Sequence, residues 1–456
     1  MTSGSRALLV AVALAVVVRV GLLVLPIGTG LATKVVEPVA DASEYLQLGG
    51  NIVEHRVFSR DEAAPFRAEL FRTPGYPLFI APFFLLDDSP LLAIIIAQIV
   101  LSLLLVTLVF SLCRELELSN AAAGAAAMLV AVSPNLAFLS TKTVTETLFC
   151  LLLVLCLLLF NRYRLEGRVR NLVATGVCSG LLVLIRPIAI GFPLLLGLLV
   201  LYGALRGKVR FWHPLLPLLC AALVVAPWVM RNGRRTGRLT VSTAAEHNLY
   251  LYNAATVVAA KKNVSIAQAR DIMRAEAQEQ HGPLNVDDEA RFWSAVTPVA
   301  WRWVRSDPVT ALKVQALGFV SCFVTPVGIQ PLLVHAGADV GPPRVMQRTL
   351  ALLSRGRLRE AALLLWQERL AHLPVFATVV LGVASLHLLL LLAFGLVGLV
   401  RRGSSGFAWL LLPVLYFTLL AGPVGEARFR APIEPLLCLF AGVGLAALLG
   451  RDRTWD

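Results

Sequence analysis

The chain has 456 residues, 57% hydrophobic and 15% charged, with a mean hydropathy of +0.76 and a net charge of +13. Soluble domains carry about 25% charged residues, so a soluble globular protein is excluded. The basic excess sits in short clusters between apolar runs, at Arg162-Tyr163-Arg164 with Arg168 and Arg170, at Arg206-Gly207-Lys208-Val209-Arg210 and at Arg401-Arg402; this is the positive-inside pattern, and no nucleic acid is expected as a partner.

A bilayer-spanning helix needs about 20 apolar residues. Runs of that kind, broken by Pro, Gly and charge, predict spans over 7–26, 91–112, 120–139, 146–161, 171–187, 188–205, 213–230, 374–400, 407–422 and 432–450. The expected fold is all-α: a polytopic transmembrane helix bundle of roughly 10–12 spans. Alternation of period two is absent, which argues against a transmembrane barrel. The first run, Ala7 to Pro26, exceeds the core of a signal peptide and reads as an uncleaved span with its N-terminus in the cytoplasm. Alternation from that start puts the Arg-rich loops 161–170, 206–212 and 401–405 inside. It puts loops 27–90, 140–145, 231–373 and 423–431 outside.

The chain reads as one membrane domain over 1–456, with 27–90 a first extracytoplasmic loop and 231–373 a long extracytoplasmic or interfacial segment. Residues 308–327 are apolar enough to span, but counting them would put Arg401-Arg402 outside. They are expected to be interfacial or re-entrant, behind the belt Trp301-Arg302-Trp303. Amphipathic surface helices are expected over 265–280, with Ser265 as N-cap, and over 355–371. The seven cysteines fall mostly within apolar runs and show neither zinc nor disulfide spacing.

Ionisable residues gather at the predicted outer edges. Asp41 follows the first span closely and is placed to act as general base on a hydroxyl. If the next segment is helical, Glu44 and Tyr45 share its face. Arg72-Thr73-Pro74-Gly75-Tyr76-Pro77 is a turn in which two prolines fix φ, and Arg72 suits a phosphate oxygen. Glu146 opens the fourth span and Arg186 precedes Pro187 at an outer turn. Charge at such depth is costly and marks function. Trp228, Arg231 and Asn232 end a span, Asn248 follows, and Arg428 and Arg430 stand before Pro432. Arg19, inside the first span, is expected to snorkel or pair. Phosphate loop, dinucleotide fingerprint, nucleophile elbow and His-Glu-x-x-His are all missing. A soluble nucleotide donor is therefore not expected.

These elements, in this order, resemble the GT-C class of membrane glycosyltransferases, nearest to the bacterial relatives of protein O-mannosyltransferases and aminoarabinose transferases. The resemblance rests on Asp41-x-x-x-Tyr45, Arg72 to Pro77, Thr145-Glu146, Arg186-Pro187, Pro227-Trp228 with Arg231-Asn232, and Arg428-x-Arg430-x-Pro432. It implies a GT-C-type bundle in a bacterial inner membrane. It implies inverting transfer of a sugar from a polyprenyl-phosphate donor to a lipid, glycan or protein hydroxyl on the extracytoplasmic face. Asp41 is then the base, and Arg72, Arg428 and Arg430 meet the donor phosphate. Glu44, Tyr45, Tyr76, Glu146, Arg186, Trp228, Arg231, Asn232 and Asn248 surround the site. No cofactor is required, and Asp41 with Glu44 leaves a divalent ion open. Asp41 is followed by Ala42 and not by the acidic partner of eukaryotic protein mannosyltransferases. The alternatives are a lipid-linked transporter or flippase and a non-glycosyl membrane transferase; a transporter would show inverted repeats, and none is read.

Overall fold

A computed structural model describes residues 3–24, 41–87, 90–327, 348–349, 352, 356–371, 375–402 and 406–451. Residues 27–40 of the first loop and most of 328–355 lie outside the described residues. Among the described residues the secondary structure is helical, without strands.

The helices are α1 (Ser3–Val24), α2 (Ala42–Glu54), α3 (Gly75–Ile80), α4 (Leu91–Glu115), α5 (Asn120–Val132), α6 (Pro134–Ser140), α7 (Glu146–Glu166), α8 (Val169–Ile185), α9 (Phe192–Leu205) and α10 (Leu215–Thr236). They continue with α11 (Ala244–Asn248), α12 (Ala255–Lys262), α13 (Ile266–His281), α14 (Glu289–Ser306), α15 (Pro308–Val324), α16 (Leu358–Leu365), α17 (Val375–Arg402), α18 (Leu411–Leu420), α19 (Ala427–Arg430) and α20 (Glu434–Leu448).

Six helical stretches are long and apolar enough to cross a membrane: α1, α4, α7, Pro187–Leu205, α10 and the body of α17. The span expected over 120–139 is bent by 55° between α5 and α6. Pro134 cannot continue the hydrogen-bond ladder, and the Ser133 hydroxyl caps the new helix by accepting from the Leu136 N–H. Three further expected spans are the shorter apolar helices Val169–Ile185, Ala408–Leu420 and Glu434–Leu448.

Residues 308–327 do not run on from the helix before them, because α14 and α15 meet at 98°. Asp307 caps α15 at the corner through the Thr310 N–H. α14 buries one face only, with Phe292, Trp293, Val296 and Val299, the pattern of an interfacial helix. The amphipathic helix expected from Ser265 is α13, opened by a reciprocal capping box between Ser265 and Gln268.

The main core joins α1, α4, α5, α7, α8 and α20. Lipid offers no hydrophobic drive between helices, so small residues let backbones approach. A Cβ on Gly444 of α20 would lie 1.9 Å from the Phe394 carbonyl oxygen of α17, and one on Gly442 2.7 Å from that of Ala122 in α5. Arg19 is fully buried in α1, does not snorkel, and meets no carboxylate among the described residues. It donates to Ser102 Oγ at 2.7 Å and to the Ala131 carbonyl at 2.6 Å, where the break after α5 frees backbone acceptors. A second, smaller core packs α12, α13 and α14 around Met273, Phe292 and Trp293. A third sets α2 and α3 against α4 through Tyr45, Tyr76, Ile80 and Ile94.

Candidate active site

Asp41 precedes α2, but its carboxylate does not cap that helix. It turns instead to two guanidiniums. Arg72 Nη2 lies 2.7 Å from Oδ1, and Arg428 Nη1 bonds Oδ2. One turn along α2, Glu44 accepts from Arg72 Nε at 2.6 Å. The Arg72 guanidinium also lies over the rings of Phe71 and Tyr45, 4.6 and 5.0 Å from their centroids. Burial pushes the Asp41 carboxyl up, and the Arg428 and Arg72 charges outweigh it, holding the group at about 2.

The turn carrying Arg72 is built to approach α8 closely. A Cβ on Gly75 would meet the Leu184 carbonyl oxygen at 2.7 Å, so no larger residue fits. The Thr73 hydroxyl donates to the Ile185 carbonyl at 3.2 Å. Tyr76, fully buried, packs edge-on against Tyr45 and donates to Gln98 Oε1 at 3.3 Å. Arg186 ends α8 in an extended conformation, as a residue before proline prefers. From there its Nη1 reaches Glu146 Oε1 at 2.5 Å, and Arg428 Nε bonds the same oxygen. Asp41, Glu44, Tyr45, Arg72, Tyr76, Glu146, Arg186 and Arg428 thus form one connected group.

Five expected residues do not join it. Arg430 is 1% exposed and faces away from Arg428. Residues i and i+2 on a helix point about 200° apart, so the two arginines serve different neighbours. Arg430 donates to the Cys322 carbonyl at 2.8 Å, to those of Thr325 and Pro326, and to Glu434 Oε2 at 3.1 Å. It anchors the C-terminal end of α15 to α19 and α20, and all three of its guanidinium nitrogens are engaged there. Trp228, Arg231 and Asn232 form a scaffold. Arg231 donates to the Phe58 and Glu69 carbonyls at 2.9 Å each, and Trp228 and Asn232 hold the Val241 and Thr240 carbonyls. They pin the first loop and the 238–243 segment to the end of α10. Asn248 is exposed at the end of α11, while its neighbour His247 packs on Phe71 with ring centroids 4.8 Å apart.

Sequence reasoning missed Arg60, Glu69 and Glu289. Arg60 bonds Glu69, Glu44 at 3.2 Å and Glu289 at 2.8 Å. The Glu69 carboxylate also accepts from the Phe71 and Arg72 backbone N–H groups, at 2.6 and 2.7 Å, which shapes the turn. Arg60 and Glu69 lie in an irregular loop without periodicity, and Glu289 is 229 residues from Arg60; nothing in the sequence marks their meeting.

All four carboxylate oxygens of Asp41 and Glu44 bond guanidinium groups. Among the described residues no three His, Cys, Asp or Glu side chains are grouped to hold a metal ion. The guanidinium groups of this set suit anions.

Residues 71–230 match the family described as dolichyl-phosphate-mannose-protein mannosyltransferase. The match takes in the turn from Arg72 to Pro77 with Glu146, Arg186 and Trp228, and leaves Asp41 and Arg428 outside. A comparison with curated proteins returns no match. Among solved structures, the oligosaccharyltransferase AglB from Archaeoglobus fulgidus, in complex with an inhibitory peptide and a dolichol-phosphate, is 16% identical; 97% of this chain and 50% of that one are covered, with a TM-score of 0.49. ArnT from Cupriavidus metallidurans, bound to undecaprenyl phosphate, is 12% identical, with 98% and 79% covered and a TM-score of 0.41. Arabinosyltransferase EmbB from Mycobacterium smegmatis is 14% identical, with 96% and 42% covered and a TM-score of 0.35. The chain spans about half the length of the archaeal oligosaccharyltransferase it matches. It is an integral-membrane helical protein similar, through residues 71–230, to the family described as dolichyl-phosphate-mannose-protein mannosyltransferase.

Proposed function

We propose that the protein transfers a sugar, with inversion, from a polyprenyl-phosphate donor to an acceptor hydroxyl on the extracytoplasmic face of a bacterial inner membrane. The observation that carries this reading is the double ion pair at Asp41, in which one carboxylate is held between Arg72 and Arg428. Both guanidiniums suit a phosphate as well as a carboxylate. The family matched over residues 71–230 is named for a polyprenyl-phosphate sugar. The arginine-rich loops at 161–170 and 206–212 lie at the opposite ends of α7 to α10 from the Asp41 group, which supports an outer-face site.

In this mechanism the donor phosphodiester takes Arg72 and Arg428 from Asp41. Freed of two positive neighbours, the Asp41 carboxyl rises from about 2 and becomes a competent base. The acceptor oxygen bonds to the anomeric carbon as the bond from that carbon to the phosphate oxygen breaks. The hydroxyl proton passes to Asp41. The electron pair leaves with polyprenyl phosphate, which gains one negative charge, and Arg72 and Arg428 stabilise that charge as it develops. Glu146 and Arg186 keep the Arg428 guanidinium in place.

The test is purified protein with a panel of polyprenyl-phosphate sugars, following release of polyprenyl phosphate. Release with one sugar, abolished by Asp41→Asn, supports the reading. No release from any sugar would remove it and favour a transporter.

A further inference from the structure

Beside the Asp41 group lies a second set of charges with no part in the transfer step. Arg60 sits among three carboxylates, with Nη2 on Glu289 Oε1 at 2.8 Å, Nη1 on Glu44 Oε1 at 3.2 Å and Nε on Glu69. The other oxygen of Glu44 holds Arg72 Nε at 2.6 Å. One path of ion pairs therefore runs Glu289, Arg60, Glu44, Arg72, Asp41, Arg428, Glu146, Arg186. With Glu69 it joins five carboxylates to four guanidiniums, so it carries one surplus negative charge when every group is ionised.

Among the described residues, Glu289 Oε2 is buried without a hydrogen-bond partner. Glu69, itself 1% exposed on its side chain, faces it, with Glu44 beyond. Arg60 and the Leu70 backbone oppose those charges. On its outer side Glu289 shares a cavity of about 450 Å³ with Arg67, Arg235, Asp287 and Asp288, which gives a proton a route to solvent. Arg67 is already paired with Asp61 and Asp287. Burial, and then Glu69, hold the Glu289 carboxyl up at about 7.

We propose that Glu289 is a positioning residue whose proton decides how firmly Glu44 holds Arg72, and so how readily Arg72 turns to the donor phosphate. The inference rests on the donor reading above. With Glu289 neutral, Arg60 serves Glu44 and Glu69 alone, and Arg72 is released more easily. With Glu289 ionised, a third carboxylate draws on Arg60, Glu44 leans on Arg72, and the site repels an anion. The raised value means that the group is neutral below about pH 7 and charged above it. Affinity for an anionic donor is therefore highest on the acid side and falls as pH rises through 7. By linkage, donor binding strengthens the hold of Glu289 on its proton by the same factor.

The test titrates methyl polyprenyl phosphate, a phosphodiester of constant single charge, into the purified full chain between about pH 6 and about pH 8.5. The wild-type Kd is expected to rise roughly five- to tenfold across that range. Glu289→Gln should hold the acid-side affinity throughout, and Glu289→Asp should restore the pH dependence. His247→Gln should keep it; His247 lies near Arg72 and Glu44, and burial pushes its pKa below the usual value. Parallel curves for wild type and Glu289→Gln, or a flat wild-type curve, would overturn the inference alone. No binding by wild type at any pH would overturn the donor reading and the inference with it. Should Glu289→Gln fail to fold, calorimetry of wild type in two buffers of different ionisation enthalpy reads the proton directly: uptake on binding near pH 7 supports the inference, and none overturns it.

Discussion

Arg428 bonds Asp41 across 387 residues of sequence, and with its Nε it also bonds Glu146. The Glu146 side chain is 1% exposed, so this guanidinium stands between a candidate base and a buried carboxylate. Removing one partner of a buried ion pair costs about 3–5 kcal/mol, mostly through the charge left behind. Arg428→Ala should lower stability by that order in a denaturation experiment and abolish donor binding. Adding Glu146→Gln should recover most of the stability and none of the transfer. A single variant as stable as wild type would refute the coupling.

Asp41→Asn separates chemistry from binding. Loss of the base should reduce turnover by about a hundred- to ten-thousandfold. The donor should bind at least as tightly as to wild type, because asparagine competes for Arg72 and Arg428 without a charge. Turnover in single cycles and donor Kd measure the two effects. Unchanged turnover would show that Asp41 is not the base.

The pH profile reports the exchange of partners at Asp41. In the free protein the carboxyl is held at about 2, so its acid limb in kcat/KM lies well below neutrality. In the donor complex the arginines are on phosphate, and the acid limb of kcat should move to higher pH. The same depression has a stability consequence. Its contribution is complete above the unfolded value near 3.9 and is lost as pH falls toward 2. Coincident acid limbs in kcat and kcat/KM would contradict displacement of the arginines.

Arg430 should behave unlike Arg428. Arg430→Ala orphans carbonyl acceptors at Cys322 and Pro326 and leaves Glu434 without its guanidinium. Melting temperature should fall, while donor KM of the folded protein stays near wild type. Gly318→Leu should give the same result, because a Cβ there would lie 1.7 Å from the Gly422 carbonyl oxygen and push α15 from the segment before α19. A KM change as large as that of Arg428→Ala would place Arg430 in the donor site after all.

Arg231 holds the first loop from outside the charged group. Arg231→Ala leaves the Phe58 and Glu69 carbonyls without that donor, each at about 1–3 kcal/mol if it stays buried. The expected outcome is faster proteolysis within 55–74 and weaker donor binding together. Loss of activity with an unchanged digestion pattern would argue for direct contact with substrate.

The helical membrane architecture is legible in the order of residues alone, because span length and helix caps are local properties. The cap at Ser265 is written in adjacent residues, whereas the bend at Ser133-Pro134 breaks a run that reads as one span over 120–139. The sequence also singled out Asp41, Arg72, Glu146, Arg186 and Arg428, since charge beside hydrocarbon is expensive wherever the chain later goes. Tertiary structure decided which of these meet. Arg428 and Arg430 look equivalent as a motif, and only the rotation of α19 sends one to Asp41 and the other to the end of α15. Arg60 with Glu289, and Arg231 with the first loop, are closures across 229 and more than 160 residues. Such pairings follow from how helices pack and turn, which no local pattern of residue types encodes.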